Sequence, residues 1–199
     1  LDKNTIIVFT SDHGYHLGEH GHWQKQTLFQ DATRVPLIFA GPGVQKTKKS
    51  VDAPVELVDL YPTLMDMVGM KTPSFVSGKS LTPFFKNPDT SIRSSAFTEL
   101  QVNRGNVKAR GYGIQTNRYR LNQWQFNGCT EYELYDHKND LEELKNLADL
   151  SSYNFIKDSL SIILNQRIAS AKKRPKGLGR QINNARPWNE PKRFFPKPK

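Results

Sequence analysis

The chain has 199 residues, 36% of them hydrophobic, and a formal charge of +10. That length suffices for one sizeable domain or a share of a larger protein, and the mean hydropathy of −0.66 assigns much of it to surface. No apolar run nears the roughly 20 residues of a membrane helix, and the single cysteine, Cys129, excludes an internal disulfide framework. The first residues, LDKNTIIVFTSD, lack the apolar length and cleavage site of a signal peptide. With no initiator Met before them, the expectation is a piece of a longer precursor.

Thr5 to Thr10, TIIVFT, is a continuous β-branched and aromatic run, the pattern of a strand buried on both faces as in a parallel sheet. Val35 to Ala40, VPLIFA, closed by Gly41-Pro42-Gly43, predicts a second buried strand. Val55 to Val68 places Leu57, Leu60, Tyr61, Leu64, Met65 and Val68 at helical spacing. Asp59 is the expected cap, Pro62 sits near the helix start and Gly69 stops it. Met65, Met67 and Met70 read as core filler. The polar stretch KNPDTSIR, Lys86 to Arg93, marks a boundary, after which SAFTEL, RGYGIQT, RYRLNQW and EYELYD alternate as antiparallel strands. Ser152 to Lys172 predicts an amphipathic helix with Phe155, Ile156, Leu160, Ile163, Leu164 and Ile168 inward. Three regions follow: an α/β region over 1–92, a small antiparallel sheet with a helix over 93–172, and a basic Pro-rich tail over 173–199.

Charge is concentrated at the end. Lys172 to Lys199 holds ten Lys/Arg against Glu190 alone, a net of +9 that leaves about +1 for the rest. Such a tail suits a polyanion, and equally an extended segment draped on the protein and anchored by Trp188, Phe194 and Phe195.

Chemistry concentrates at the other end. SDHGYHLGEHGHWQK, Ser11 to Lys25, begins where the first strand stops, and ligands bind beyond the carboxyl ends of strands in open α/β sheets. Asp12 and His13 can both reach one divalent cation there, because the chain turns at Gly14. Carboxylate oxygen suits Ca²⁺ or Mg²⁺ and imidazole suits Zn²⁺. The alternative is a carboxylate that caps the loop and a histidine bonded to it. His16, His20 and His22 lie in a glycine-broken loop, unlike zinc ligands on a helix. Lys25 adds a point charge with three donors, which together with a cation would neutralise a phosphate or sulfate group.

SDHG followed by LGEHG, W-x-K-x-T-x-F, A-T-R-V-P-L-I and G-P-G resembles the type I, formylglycine-dependent sulfatases, in particular the branch with iduronate-2-sulfatase and related polysaccharide sulfatases. VDLYPTLMDMVG, Gly78-Lys79-Ser80-Leu81, Arg118-Tyr119-Arg120, Glu133-Leu134-Tyr135-Asp136 and Glu143 to Leu147 extend the likeness in order over roughly residues 1 to 150. The nucleophile motif C/S-x-P-x-R of that family is absent, and Cys129 is followed by Thr-Glu-Tyr. The resemblance is therefore to the C-terminal portion only. It implies part of an alkaline phosphatase-like mixed α/β sheet with flanking helices, and an N-terminal portion, or heavy chain, carrying the formylglycine, the remaining metal ligands and any signal peptide. It implies Ca²⁺ held by Asp12 and His13, with Lys25 touching a sulfate oxygen and assisting the leaving group. His16, His22 and Trp23 become candidates for the substrate pocket wall, with Glu19 and His20 behind them. Arg104 and Arg110 become candidates for the carboxylate of a uronic acid or a second sulfate.

The expected substrate is a sulfated poly- or oligosaccharide, with no nucleic acid partner, and the expected location is secreted, periplasmic or lysosomal. The chain alone is expected to be inactive and poorly folded. Two other readings stay open: a zinc phosphodiesterase or phosphatase-like member of the same superfamily, and a non-catalytic polyanion-binding protein.

Overall fold

The computed structural model describes residues 3–44, 50–104 and 107–173. Among them the order is β1 (Ile7–Thr10), α1 (Gln30–Thr33), β2 (Leu37–Ala40), α2 (Leu60–Met67), α3 (Thr82–Lys86), β3 (Ala96–Arg104), β4 (Val107–Gln115), β5 (Tyr119–Phe126), β6 (Cys129–Asp136) and α4 (Asn154–Ala171). Short 3₁₀ turns lie at Glu19–Gly21, Leu57–Asp59 and Ser151–Tyr153. The mixed α/β class expected from the sequence holds. The expected tail lies outside the described residues, apart from Lys173.

β1 and β2 pair with each other, and they do so antiparallel, Ile7 opposite Ala40 and Thr10 opposite Leu37. The expectation of strands buried on both faces, as in a parallel sheet, does not describe them here. Ile7, Phe9 and Ile38 are 58%, 59% and 57% exposed. An unbroken apolar run signals what the strand needs to bury; it carries no information on direction or on which chain does the covering. The same holds for α2. Its buried residues are Pro62 and Thr63, while Tyr61, Leu64 and Val68 of the expected apolar stripe are exposed, as is Met70. Asp59 does not cap α2 with its side chain. Its carboxylate accepts from the Glu56 amide at 2.8 Å, closing a capping box on the preceding 3₁₀ turn, and from the Lys79 amide at 2.8 Å.

The four predicted strands after residue 94 form one antiparallel meander, β3-β4-β5-β6. Successive strand residues face opposite sides, so each strand serves two surfaces. One face carries Tyr112, Ile114, Leu121 and Leu134, and α4 covers it with Leu160, Leu164 and Ile168; Leu147 and Ala148 complete this core. Each fully buried Leu or Ile contributes about 1.5–3 kcal/mol. Ile156 and Ile163 pack at its edge, whereas Phe155, expected inward, points out at the first turn of α4.

The boundary stretch is not a loose linker. Arg93, at its end, is buried and ion-paired with both Glu56 and Asp59. Glu56 Oε1 also accepts from the Phe97 amide at 2.9 Å and from Arg167 of α4 at 2.6 Å. These carboxylates pin the segment before α2 to the meander and its helix, and removing either partner of such a pair would strand a buried charge.

Candidate active site

β1 ends at Thr10, and the next four residues turn back against α1. The Ser11 hydroxyl donates to the His13 carbonyl at 2.8 Å, and the Gly14 amide donates to the Ala32 carbonyl at 2.9 Å. A Cβ on Gly14 would lie 1.9 Å from the Asp31 carbonyl oxygen, so only glycine permits this approach. The turn leaves Asp12 82% exposed and His13 half-buried at the mouth of an open cleft.

Residues 15–24 then fold into a closed loop. The His16 amide donates to the Gln24 carbonyl, the Gly18 amide to the His22 carbonyl, and the Tyr15 hydroxyl to the Trp23 carbonyl, all at 2.9–3.0 Å. This closure returns the chain to its starting point. Lys25 Nζ therefore lies 2.6 Å from His13 Nε2, although twelve residues separate them. Asp12 Oδ2 is 3.4 Å from the same nitrogen. His13 Nδ1 sits 2.7 Å from the Gly14 carbonyl oxygen, which can only accept. Nδ1 thus carries the hydrogen, and Nε2 keeps its lone pair for Lys25 or for a cation.

That lone pair and the exposed carboxylate are a fitting pair of donors for a divalent cation. They are also too few. Calcium takes six to eight oxygen ligands, and among the described residues no group of three or more His, Cys, Asp or Glu converges. At most two imidazole, thiolate or carboxylate ligands come together among the described residues.

The loop rests on a histidine cluster. His16 is fully enclosed, with Nε2 2.7 Å from the Thr27 hydroxyl and Nδ1 3.8 Å from Asp31 Oδ2. Nδ1 has no hydrogen-bond partner among the described residues. Burial pushes the imidazole below its ordinary pKa, against the pull of Asp31, so the ring is neutral near pH 7. His20 stacks flat on Phe29 at 3.8 Å between centroids, and His22 approaches the His16 ring edge-on.

Beneath the cluster, residues 27–31 lie on the second face of the meander. Leu28, 1% exposed, fills a slot that exists because β4 has glycines there: a Cβ on Gly111 would meet Leu28 Cδ1 at 2.8 Å and Trp124 Cζ3 at 2.6 Å. Arg120 donates to the Leu28 carbonyl at 3.0 Å and to Glu143 Oε1 at 2.5 Å. Glu143 Oε2 accepts from the Gln30 amide at 2.7 Å, and His137 Nε2 lies 2.6 Å from Glu143 Oε1. Burial opposes ionisation of Glu143, but His137, Arg120 and the Gln30 amide together outweigh it and hold the carboxylate below the usual glutamate range.

The family model described as N-sulphoglucosamine sulphohydrolase, C-terminal, matches residues 18–170. The chain belongs to this sulfatase family. It is 38% identical over 162 residues to a sulfatase of Formosa agariphila, covering 81% of this chain and 30% of that protein. It is 34% identical to an N-acetylglucosamine-6-O-sulfatase of Bacteroides thetaiotaomicron, covering 75% of this chain and 27% of that protein. A structure solved with its substrate D-glucosamine-2-N,6-O-disulfate superposes with a TM-score of 0.76 at 30% identity, covering 88% of this chain and 36% of that one. The sulfatase chain thus spans less than a third of the length of these two curated relatives.

Of the residues singled out from the sequence, Asp12, His13 and Lys25 come together. Trp23 is 70% exposed beside Gly18 on the loop rim. His22 is half-buried, with Nδ1 3.3 Å from the side-chain Nε2 of Gln24. His16 is not on a pocket wall: Thr27, Phe29 and the other histidines enclose it, so in this arrangement its ring supports the loop from within. Arg104 ends β3, and its side chain lies outside the described residues. Arg110 is an exposed arginine 3.6 Å from Glu99. Thr27, Asp31 and the Arg120–Glu143–His137 triad carry the site's framework without having been singled out for it. Thr27 and Asp31 lie close in sequence to the histidines. Gln30 and Glu143 are 113 residues apart, and no local pattern announces that pairing.

Proposed function

We propose that this chain is the C-terminal portion of a sulfatase that hydrolyses sulfate esters on a sulfated glycan, and that it works only with an N-terminal portion carrying the nucleophile. The observation that carries the reading is the approach of Lys25 Nζ, at 2.6 Å, and of Asp12 Oδ2, at 3.4 Å, to His13 Nε2 at the carboxyl end of β1. The exposed apolar residues of β1, β2 and α2 support a further portion lying against them. The closed core of the meander and α4 supports a division of the chain near residue 92. The sulfated-sugar substrate is supported by the relative named for N-acetylglucosamine-6-O-sulfate chemistry and by the structure holding a glucosamine disulfate.

In this reading Asp12 and His13 are two ligands of a Ca²⁺ site, and the other ligands and a formylglycine come from the N-terminal portion. The formylglycine would supply the nucleophile and the cation would supply charge to hold the sulfate oxygens. The His13 tautomer fixed by Gly14 would leave the Nε2 lone pair free to hold the cation. The Lys25 ammonium would neutralise a sulfate oxygen and donate a proton toward the departing alcohol. Trp23 offers a flat apolar face at the rim for the sugar ring. A location outside the cytoplasm is part of the same proposal.

The test uses the full-length protein. Asp12→Ala is expected to abolish both bound calcium, measured by elemental analysis, and hydrolysis of an aryl sulfate; full metal occupancy in the variant would remove the ligand assignment. The 199-residue chain by itself is expected to show no sulfatase activity. Turnover at rates matching the full-length protein would defeat the missing-nucleophile reading.

A further inference from the structure

Lys25 is exposed, and its side chain meets His13. Its place in space is therefore set by its backbone, and the backbone leads straight to the meander. The Thr27 amide donates to the Lys25 carbonyl at 2.9 Å, and Leu28 seats in the slot over Gly111. Leu28 and Gln30 then present one carbonyl and one amide to a buried ionic pair, Arg120 taking the first and Glu143 the second. Arg120 and Glu143 are 3% and 2% exposed. The segment after Lys25 is thus held by a side chain in a slot and by two charge-assisted hydrogen bonds from residues far along the chain.

We propose that Glu143 is a positioning residue for Lys25, holding the Lys25–Gln30 segment at the catalytic cleft through Gln30 and through Arg120. It touches no reacting atom. It completes a bracket whose other end is the second face of the meander, where Leu28 meets Gly111 of β4 and Arg120 of β5, so the height of Lys25 over the cleft is inherited from the meander. His137, bonded to the same carboxylate, keeps Glu143 from turning toward solvent. A shift of about 1 Å in a group that must meet a leaving oxygen costs up to about 100-fold in rate. The proposal rests on the role given to Lys25 in the preceding section.

A double-mutant cycle in the full-length protein tests it, with kcat/KM measured for an aryl sulfate and for an alkyl sulfate. Lys25→Ala is expected to slow both, the alkyl ester more, because its poorer leaving group needs the proton more. Glu143→Gln is expected to lose about 10- to 100-fold with the same bias toward the alkyl ester. In the Lys25→Ala background it should cost less than about threefold further, since nothing remains to be positioned. If the two losses instead multiply, Glu143 is a general structural residue and the proposal fails while the role of Lys25 stands. If Lys25→Ala changes neither rate, the role of Lys25 itself is wrong and the proposal falls with it. Should Glu143→Gln not fold, Gln30→Pro replaces it in the cycle. Proline is accepted at the first helical position, so this variant removes one N–H and leaves Arg120, Glu143 and His137 in place. Gln30→Pro that folds and keeps full activity on the alkyl ester would overturn the proposal.

Discussion

The two sheets among the described residues stand in opposite relation to water, and the one with the more apolar strands, IVFT and LIFA, is the one left uncovered. The β3–β6 meander closes one face under α4, with Ile114, Leu121, Leu134 and Leu164 all at 0% exposure. The β1–β2 pair leaves Ile7, Phe9 and Ile38 more than half exposed, and the helix that follows, α2, leaves most of its apolar stripe exposed too. An isolated two-stranded pair is marginally stable at best in water. The chemistry is attached to the weaker of the two: Asp12 and His13 follow directly on β1. Lys25 lies between them and the meander, tied to both. The reacting groups proposed here are thus carried by a region that leans on its neighbours, and one of them is anchored to the region that does not.

Hydrogen exchange on the 199-residue chain should show the contrast most strongly. Amides of β5 are expected to exchange on the order of a thousandfold more slowly than those of β1, because only the first must await opening of a closed core. Equal rates would mean that the sheets share one stability. Substitution sharpens the same comparison. Leu164→Ala should cost about 2–5 kcal/mol in chemical denaturation. Phe9→Ser in the chain alone should stay within about 0.5 kcal/mol, and a cost matching that of Leu164→Ala would show that β1 has cover within this chain.

The smallest effect is a pH dependence confined to the meander. Arg118 forks onto Asp136 at 2.7 and 2.8 Å and holds its carboxyl down at about 2. The folded value lies below the unfolded one, so the pair stabilises the fold above about pH 4 and the benefit is lost as pH falls from 4 toward 2. Arg118 is nearly half exposed, which keeps the contribution modest. Asp136→Asn should flatten the denaturation midpoint across that window; an unchanged slope would assign the acid sensitivity to other carboxylates, Glu143 first.

The four meander strands, α4 and the ligand-rich turn after β1 were legible from the sequence. Alternation, helical spacing and turn residues act within a few positions, and the W-x-K spacing carries Lys25 back to His13 through a loop closed by its own hydrogen bonds. What the tertiary structure decided concerns partners. TIIVFT reads the same whether its neighbour runs parallel or antiparallel, and Phe155 reads as inward until the end of the core is located. His16 reads as a pocket donor until Thr27 and Phe29 are seen around it. Glu143 opens a stretch of family likeness with no partner named until Arg120, His137 and the Gln30 amide are seen to meet on it. Periodicity is a property of a segment and is written in it. Burial and charge pairing belong to whatever lies opposite, and for Glu143 that is a loop more than a hundred residues earlier.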